Sequence, residues 1–223
     1  MRDFNAWAHD WVFYSSSFLP SYELEDFVKS FAGKPYREIL KKLYPDPLTS
    51  LNERDIDRLV AQEEKRAIER LTVEAKATVG TPQVLSSLRD DGVEYALVSN
   101  SSLQRLSACL SSAALTDYFA SEQIFSAHDS LPVPRPKALP DIYLYAVKCL
   151  DAEVSDCVAV EDSLSGVRAA VAAGIGQIIG YVGGTHISED ERSSRADNLQ
   201  SAGAHQVIER MDDLIGLLSA TPV

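Results

Sequence analysis

Three short stretches of the sequence place polar side chains at the ends of apolar runs or in a loop between them. They contain Ser99 and Asn100, Lys137, and Glu161 and Asp162. A carboxylate pair with a phosphate oxygen provides the ligands that Mg²⁺ prefers. An ammonium group and a hydroxyl group can bind the remaining phosphate oxygens. If the fold brings them together, these residue types suit a site for phosphate and Mg²⁺.

The elements that must position these residues alternate between strands and helices from about residue 80. The predicted strands are Tyr95–Val98, Gln123–Ser126, Cys157–Val160, Gln177–Val182 and Gln206–Ile208. The predicted helices are Pro82–Arg89, 102–113, Asp141–Leu150, Ser165–Ala173 and a last helix at the C-terminal end, with 183–200 as a polar loop. This alternation predicts an α/β fold with a parallel, doubly wound sheet covered on both faces. Ligands of such sheets bind at the carboxyl ends of the strands, where the polar residues fall.

Residues 1–75 have a different pattern and are predicted to be helical throughout. Ser21 is a candidate N-cap and Gly33 a candidate helix stop, while Pro35 suits the first turn of the next helix. A long charged helix is predicted over 50–75, with its apolar residues on one face. The chain is therefore expected to have two domains, a helical domain over 1–75 and an α/β domain over 76–223.

Composition excludes several classes of partner. The 223 residues include 21 Lys and Arg against 33 Asp and Glu, for a formal net charge of −12. Such an acidic chain is poorly suited to a nucleic-acid backbone or an anionic membrane. The three cysteines form no C-x-x-C motif, and the first residues lack the pattern of a secretory signal. We expect a cytoplasmic protein without a nucleic-acid or membrane partner.

Each polar residue also has a purely structural interpretation. Ser99 and Asn100 could cap the helix that follows them, and Asp162 could cap the next helix with help from a neighbouring serine. Lys137 could be a solvated side chain in a proline-rich loop. The ordered set is more specific than any of its members, because these alternatives explain the residues only one at a time.

The ordered set resembles the motifs of the haloacid dehalogenase superfamily, in the subfamily of enzymes similar to β-phosphoglucomutase and phosphogluconate phosphatase. The three motifs are LVSNSS (97–102), PKALPDIYLYA (136–146) and VAVEDSLSGVRAAVAAG (158–174). The resemblance implies that Ser99 provides a phosphate-binding hydroxyl and that Lys137 is a phosphate-clamping lysine, and that both are catalytic residues. It also implies that Asn100 is a substrate-binding residue. It also implies that Asp162 is a Mg²⁺ ligand and Glu161 its acidic neighbour at the metal.

The helical domain resembles the cap that this superfamily inserts after its first motif. Within it, FAGKPYREIL (31–40) is similar to the cap segment that reaches over the active site. Gly33, Lys34 and Arg37 are therefore candidates for substrate contact. The alternative for these three residues is a helix stop and two solvated charges.

The first motif of the superfamily, with two aspartates after a central strand, has no counterpart here. Asp3 and Asp10 lack a preceding apolar strand. We therefore expect the central first strand of the Rossmann-like sheet to be missing and the nucleophilic aspartate to lie upstream of Met1. The resemblance implies a Mg²⁺-dependent phosphatase of a small phosphorylated metabolite such as a sugar phosphate, acting through an aspartyl-phosphate. A phosphomutase and a catalytically inactive phosphate-binding relative remain open. A dehalogenase is disfavoured because its substrate does not call for Mg²⁺.

Overall fold

The computed structural model describes residues 36–44, 52–185 and 187–219. The chain divides into two units, Met1–Glu74 and Ala75–Val223. Several of the residues discussed above lie outside the described residues: Asp3, Asp10, Ser21, Gly33, Lys34 and Pro35.

The described part of the first unit consists of two helices, α1 (Tyr36–Leu43) and α2 (Glu53–Glu74). Helix α1 buries Ile39, Leu40 and Leu43, which follow helical spacing and lie on one face. Helix α2 agrees with the long charged helix predicted over 50–75, although Ile56 is its one buried residue among those described. Its polar composition explains why most of its surface is exposed.

The second unit alternates strands and helices as the sequence predicts. Its strands are β1 (Leu97–Ser99), β2 (Ile124–Ser126), β3 (Val158–Glu161), β4 (Gln177–Tyr181) and β5 (Gln206–Ile208). Its helices are α3 (Thr81–Asp90), α4 (Leu103–Ser112), α5 (Asp141–Cys149), α6 (Leu164–Ala173), α7 (Glu189–Ala202) and α8 (Asp213–Ser219), with short 3₁₀ turns at Thr116–Tyr118, Ser121–Gln123 and Val154–Asp156. Every predicted strand is present, with bounds that differ by at most two residues.

All strand pairs are parallel, but within the described residues they form two separate sheets. One sheet has the order β1-β2 and the other β3-β4-β5. The described strands β1 and β3 therefore do not pair with each other. The α/β fold class with a parallel sheet and covering helices is confirmed.

Helices cover both faces of the three-stranded sheet. Ile178 and Ile179 are neighbours on β4, so their side chains point to opposite faces, and both are almost fully buried. Ile178 packs in the cluster that contains Ile142 of α5 and Val167 of α6. Ile179 packs in the other cluster with residues of α3 and α8, including Val84. Burial on both faces explains why the strands are continuously apolar.

Helix α7 corrects the prediction of a polar loop over 183–200. The helix spans Glu189–Ala202 and buries only Leu199, so the apolar periodicity that marks other helices is missing. A capping box starts it, in which the Glu191 carboxylate accepts hydrogen bonds from Ser188 N at 3.3 Å and from Ser188 Oγ at 2.9 Å. Gly203 ends the helix in the left-handed conformation. The sequence signal was therefore in the caps, not in the hydrophobic pattern.

Helix α6 ends where the sequence indicates. Gly174 adopts φ 80°, the left-handed conformation that suits a glycine C-cap. Among the helices of the described ranges, none has the length and apolar composition needed to cross a membrane.

Candidate active site

Lys137 lies between the two sheets. Its side chain is only 7% exposed, and its Nζ donates a hydrogen bond to the Val98 carbonyl of β1 at 2.9 Å and forms an ion pair with Glu161 of β3. The Ser99 carbonyl accepts a hydrogen bond from Ala127 N on the β2 side, so the Val98 carbonyl, one residue earlier, points away from β2. The lysine ammonium group thus connects the β1 and β3 edges, and a purely solvated Lys137 is excluded.

The Glu161 carboxylate is buried and receives hydrogen bonds on both oxygens. Oε1 accepts from Lys137 and from the hydroxyl of Tyr143, and Oε2 accepts from Ser163 Oγ at 3.2 Å. Burial and then the negative charge of Glu161 raise the pKa of Tyr143 well above its usual range. The tyrosine therefore stays protonated and acts as a donor. These partners offset the cost of burying the carboxylate charge.

A glycine in the first turn of α6 makes room for this carboxylate. A Cβ added to Gly166 would lie 1.8 Å from Glu161 Oε2 and 2.0 Å from its Cδ. The backbone N of Gly166 also donates to Ser163 Oγ at 3.0 Å, which makes Ser163 the N-cap of α6. Ser163 therefore serves both the helix end and the buried carboxylate.

Asn100 fixes the backbone of the lysine loop. Its Oδ1 accepts a hydrogen bond from Lys137 N at 2.8 Å. Ser99 Oγ accepts from Ser101 N at 3.1 Å, which orders the turn after β1. The N-cap of α4 is Ser102, so neither Ser99 nor Asn100 caps that helix. The structure thus places Lys137 beside the turn after β1 that contains Ser99 and Asn100.

Asp162 follows β3 and is exposed at the carboxyl end of the sheet. It is not the N-cap of α6, because Ser163 has that role. Burial raises the pKa of Tyr181 at the end of β4, and the charge of Asp162 adds to this shift. Among residues 36–44, 52–185 and 187–219, no three Asp, Glu, His or Cys side chains gather closely enough to hold a metal ion. The role of Asp162 and Glu161 as metal ligands therefore stays a prediction.

Of the three residues proposed for substrate contact in the first unit, Arg37 is described. Its guanidinium pairs with Glu53 of α2 at 2.7 Å and with Asp57. Lys41 pairs with Glu53 at 3.0 Å. These exposed ion pairs join α1 to α2, and the substrate role of Arg37 stays a prediction.

Tyr143 and Gly166 belong to the site but were not identified from the sequence. Both lie inside motifs that the sequence does show, PKALPDIYLYA and VAVEDSLSGVRAAVAAG. In the first motif, the aromatic residue follows the spacing of a buried helix face, which hides its polar role. In the sequence, Gly166 is recognisable only as a residue of low helix propensity near the start of a helix.

Sequence comparison identifies the family to which this parallel α/β fold belongs. Residues 5–174 match the haloacid dehalogenase-like hydrolase family, so the chain belongs to that family. The resemblance of the three motifs to the haloacid dehalogenase superfamily is thereby confirmed.

Individual relatives support the same assignment. YhcW of Bacillus subtilis (strain 168), whose name carries a provisional phosphatase assignment, is 34% identical over 155 residues, 69% of this chain and 63% of YhcW. The chain thus spans less than two thirds of that relative. A conserved haloacid dehalogenase-like protein of unknown function, ATU0790 from Agrobacterium tumefaciens, has a TM-score of 0.74 and 30% identity, covering 97% of this chain and 90% of the other. CbbY from Rhodobacter sphaeroides, solved with xylulose-(1,5)-bisphosphate, shares the fold at a TM-score of 0.72 and 20% identity, with 96% and 89% covered.

Proposed function

We propose that this protein is a Mg²⁺-dependent phosphatase of small phosphorylated metabolites, with sugar phosphates as the first substrate class to test. The observation that carries the proposal is the buried ammonium of Lys137, held at the carboxyl edge of the sheets by Glu161 and the Val98 carbonyl. A buried cation beside a strand end is suited to bind a phosphoryl group.

The described residues at this edge of the sheets would have different roles in binding the phosphoryl group. Lys137 would neutralise one phosphoryl oxygen, and the Ser99 hydroxyl would donate to another. Asn100 would hold the lysine loop through its bond to Lys137 N. Glu161 would keep the ammonium in place, because its Oε1 is the acceptor that faces Lys137.

The donor chemistry at the end of β3 suits Mg²⁺, which prefers carboxylate oxygens. Asp162 is exposed there and is the first candidate ligand. Glu161 would contribute only through Oε2, because Oε1 already has two donors. When bound, Mg²⁺ would neutralise developing charge on the phosphoryl oxygens.

The family resemblance also implies a nucleophilic aspartate. The Glu161 carboxylate is committed to its ion pair with Lys137, so it is not available as the nucleophile. We therefore assign the nucleophile to a carboxylate outside the described residues. The helical unit, with α1 and α2, would act as the cap that selects the substrate.

The substrate class rests on chemistry and on relatives. A buried lysine beside a hydroxyl and two carboxylates suits a phosphomonoester group with a bound Mg²⁺. CbbY from Rhodobacter sphaeroides is seen with a sugar bisphosphate, and a region of a plant riboflavin kinase/FMN phosphatase is 35% identical over 100 residues. Both point to small phosphorylated metabolites.

The test is hydrolysis of p-nitrophenyl phosphate and a panel of sugar phosphates, with Mg²⁺ and with EDTA. Asp162→Asn is expected to abolish the Mg²⁺-dependent part of the turnover, because it removes a metal-binding charge. Asp197→Asn, an exposed aspartate on α7, is the matched control and should keep full turnover. Full activity of Asp162→Asn would refute the metal assignment.

The same assay separates the alternatives. Release of inorganic phosphate, followed by ³¹P NMR, supports a phosphatase, whereas a rearranged sugar phosphate without release indicates a phosphomutase. Phosphate binding without any turnover would replace the enzyme proposal by a non-catalytic phosphate-binding protein.

A further inference from the structure

Tyr143 joins the two charged residues of the site. It lies on α5 and is only 7% exposed. Its hydroxyl donates to Glu161 Oε1 at 2.5 Å, and its ring centroid lies 4.9 Å from Lys137 Nζ. The ring thus contacts the cation while the hydroxyl contacts the anion that pairs with it.

These two contacts restrict how the ion pair can be arranged. Lys137 and the Tyr143 hydroxyl both donate to Oε1, and Ser163 donates to Oε2. Together these three side chains fix the plane of the Glu161 carboxylate. The aromatic face attracts the ammonium group and limits its movement toward α5. Without the hydroxyl, Oε1 would have Lys137 alone as its donor, and the carboxylate could rotate.

We propose that Tyr143 is a positioning residue for Lys137: its hydroxyl locks Glu161 Oε1 so that the lysine ammonium group stays at the edge between β1 and β3. The benefit of this arrangement for phosphate rests on the proposed function, but the positioning itself does not. A group held in place before the ligand arrives avoids part of the entropic cost of binding.

The direct readout is the ammonium resonance of Lys137 in ¹H–¹⁵N NMR of the full chain. A lysine ammonium that is buried and hydrogen-bonded exchanges slowly with water and gives a visible signal. The double variant Lys137→Met/Glu161→Gln assigns that signal by removing it, and it removes both charges together so that no buried charge is left unpaired. Tyr143→Phe keeps the ring and deletes only the hydroxyl.

Tyr145→Phe is the matched control, since Tyr145 lies on the same helix, is 38% exposed, and packs edge-on against Phe125 at 5.9 Å. We expect Tyr143→Phe to broaden or abolish the Lys137 signal and Tyr145→Phe to leave it unchanged. An unchanged signal in Tyr143→Phe would overturn the proposal. A wild-type protein without the signal would overturn it too, because the ammonium would then not be held.

Titration with inorganic phosphate distinguishes this proposal from the proposed function. We expect the dissociation constant of Tyr143→Phe to rise about threefold or more, since a hydrogen bond to a charged group is lost near the ligand. If the NMR signal depends on Tyr143 but the wild type binds no phosphate, the positioning role stands and the proposed function fails. If phosphate binds but the Lys137 signal is unchanged in Tyr143→Phe, the proposed function stands and this proposal fails.

Discussion

Replacing Gly166 by alanine tests the geometry behind the buried carboxylate. The new Cβ would lie 1.8 Å from Glu161 Oε2, whereas ordinary contacts begin at 3.4 Å, so the carboxylate must retreat by about 1.6 Å. A retreat of that size breaks the hydrogen bonds that Lys137 and Tyr143 donate to Oε1. Gly166→Ala should therefore disrupt the charged pair without changing any of its members.

The expected magnitude follows from opposing effects. Disrupting a buried ion pair costs about 3–5 kcal/mol, whereas alanine gains up to about 1 kcal/mol over glycine in a helix. We expect Gly166→Ala to lower the free energy of unfolding by about 2–4 kcal/mol. Urea unfolding followed by circular dichroism measures this change.

Gly216 provides the matched control. It is exposed within α8, and a Cβ added there would meet nothing within 4 Å. Gly216→Ala should raise the unfolding free energy by up to about 1 kcal/mol, because only the helix preference of alanine acts. If Gly166→Ala is as stable as Gly216→Ala, the close packing of Glu161 against α6 is wrong.

The remaining predictions concern one cap, one core position and the cysteines. Ser163→Ala should lose about 1–2 kcal/mol of unfolding free energy, because it removes both the N-cap of α6 and a donor to the buried carboxylate; an unchanged urea midpoint would contradict this. Ile142→Ala should cost about 2–5 kcal/mol in the same assay, and Leu144→Ala, 45% exposed on the same helix, less than about 0.5 kcal/mol; equal losses would contradict the assigned core. Iodoacetamide on the native protein should modify exposed Cys149 before Cys109, whose pKa is raised by burial; mass spectrometry reporting the reverse order would refute the assigned exposure.

The parallel α/β architecture was predictable because each strand carries its own signal. Strands buried on both faces need continuous apolar runs, and these runs located β1 to β5. Helix α7 gave no such signal, since it buries only Leu199. Its start was nevertheless encoded in the capping box at Ser188 and Glu191, which a search by hydrophobic period does not detect.

Only part of the candidate site was predictable from the sequence, and the pairing of its residues was not. Sequence order and strand ends identified Lys137 and Glu161 separately, one as a phosphate ligand and the other as a metal ligand. Their ion pair across the edges of β1 and β3 depends on tertiary distances that spacing does not contain. Tyr143 was missed for the same reason, because a buried aromatic residue has the same helical spacing with or without a polar partner.

Binding of inorganic phosphate, measured by isothermal titration calorimetry with and without Mg²⁺, is the direct test of a phosphate site at Lys137. The wild-type chain is compared with the double variant Lys137→Met/Glu161→Gln. Urea unfolding first checks that the two proteins have the same free energy of unfolding. We expect the wild type to bind phosphate and the double variant to bind it at least about tenfold more weakly, since a charged hydrogen bond is lost. Equal affinity of the two proteins, or no binding by the wild type, would contradict a phosphate site at Lys137.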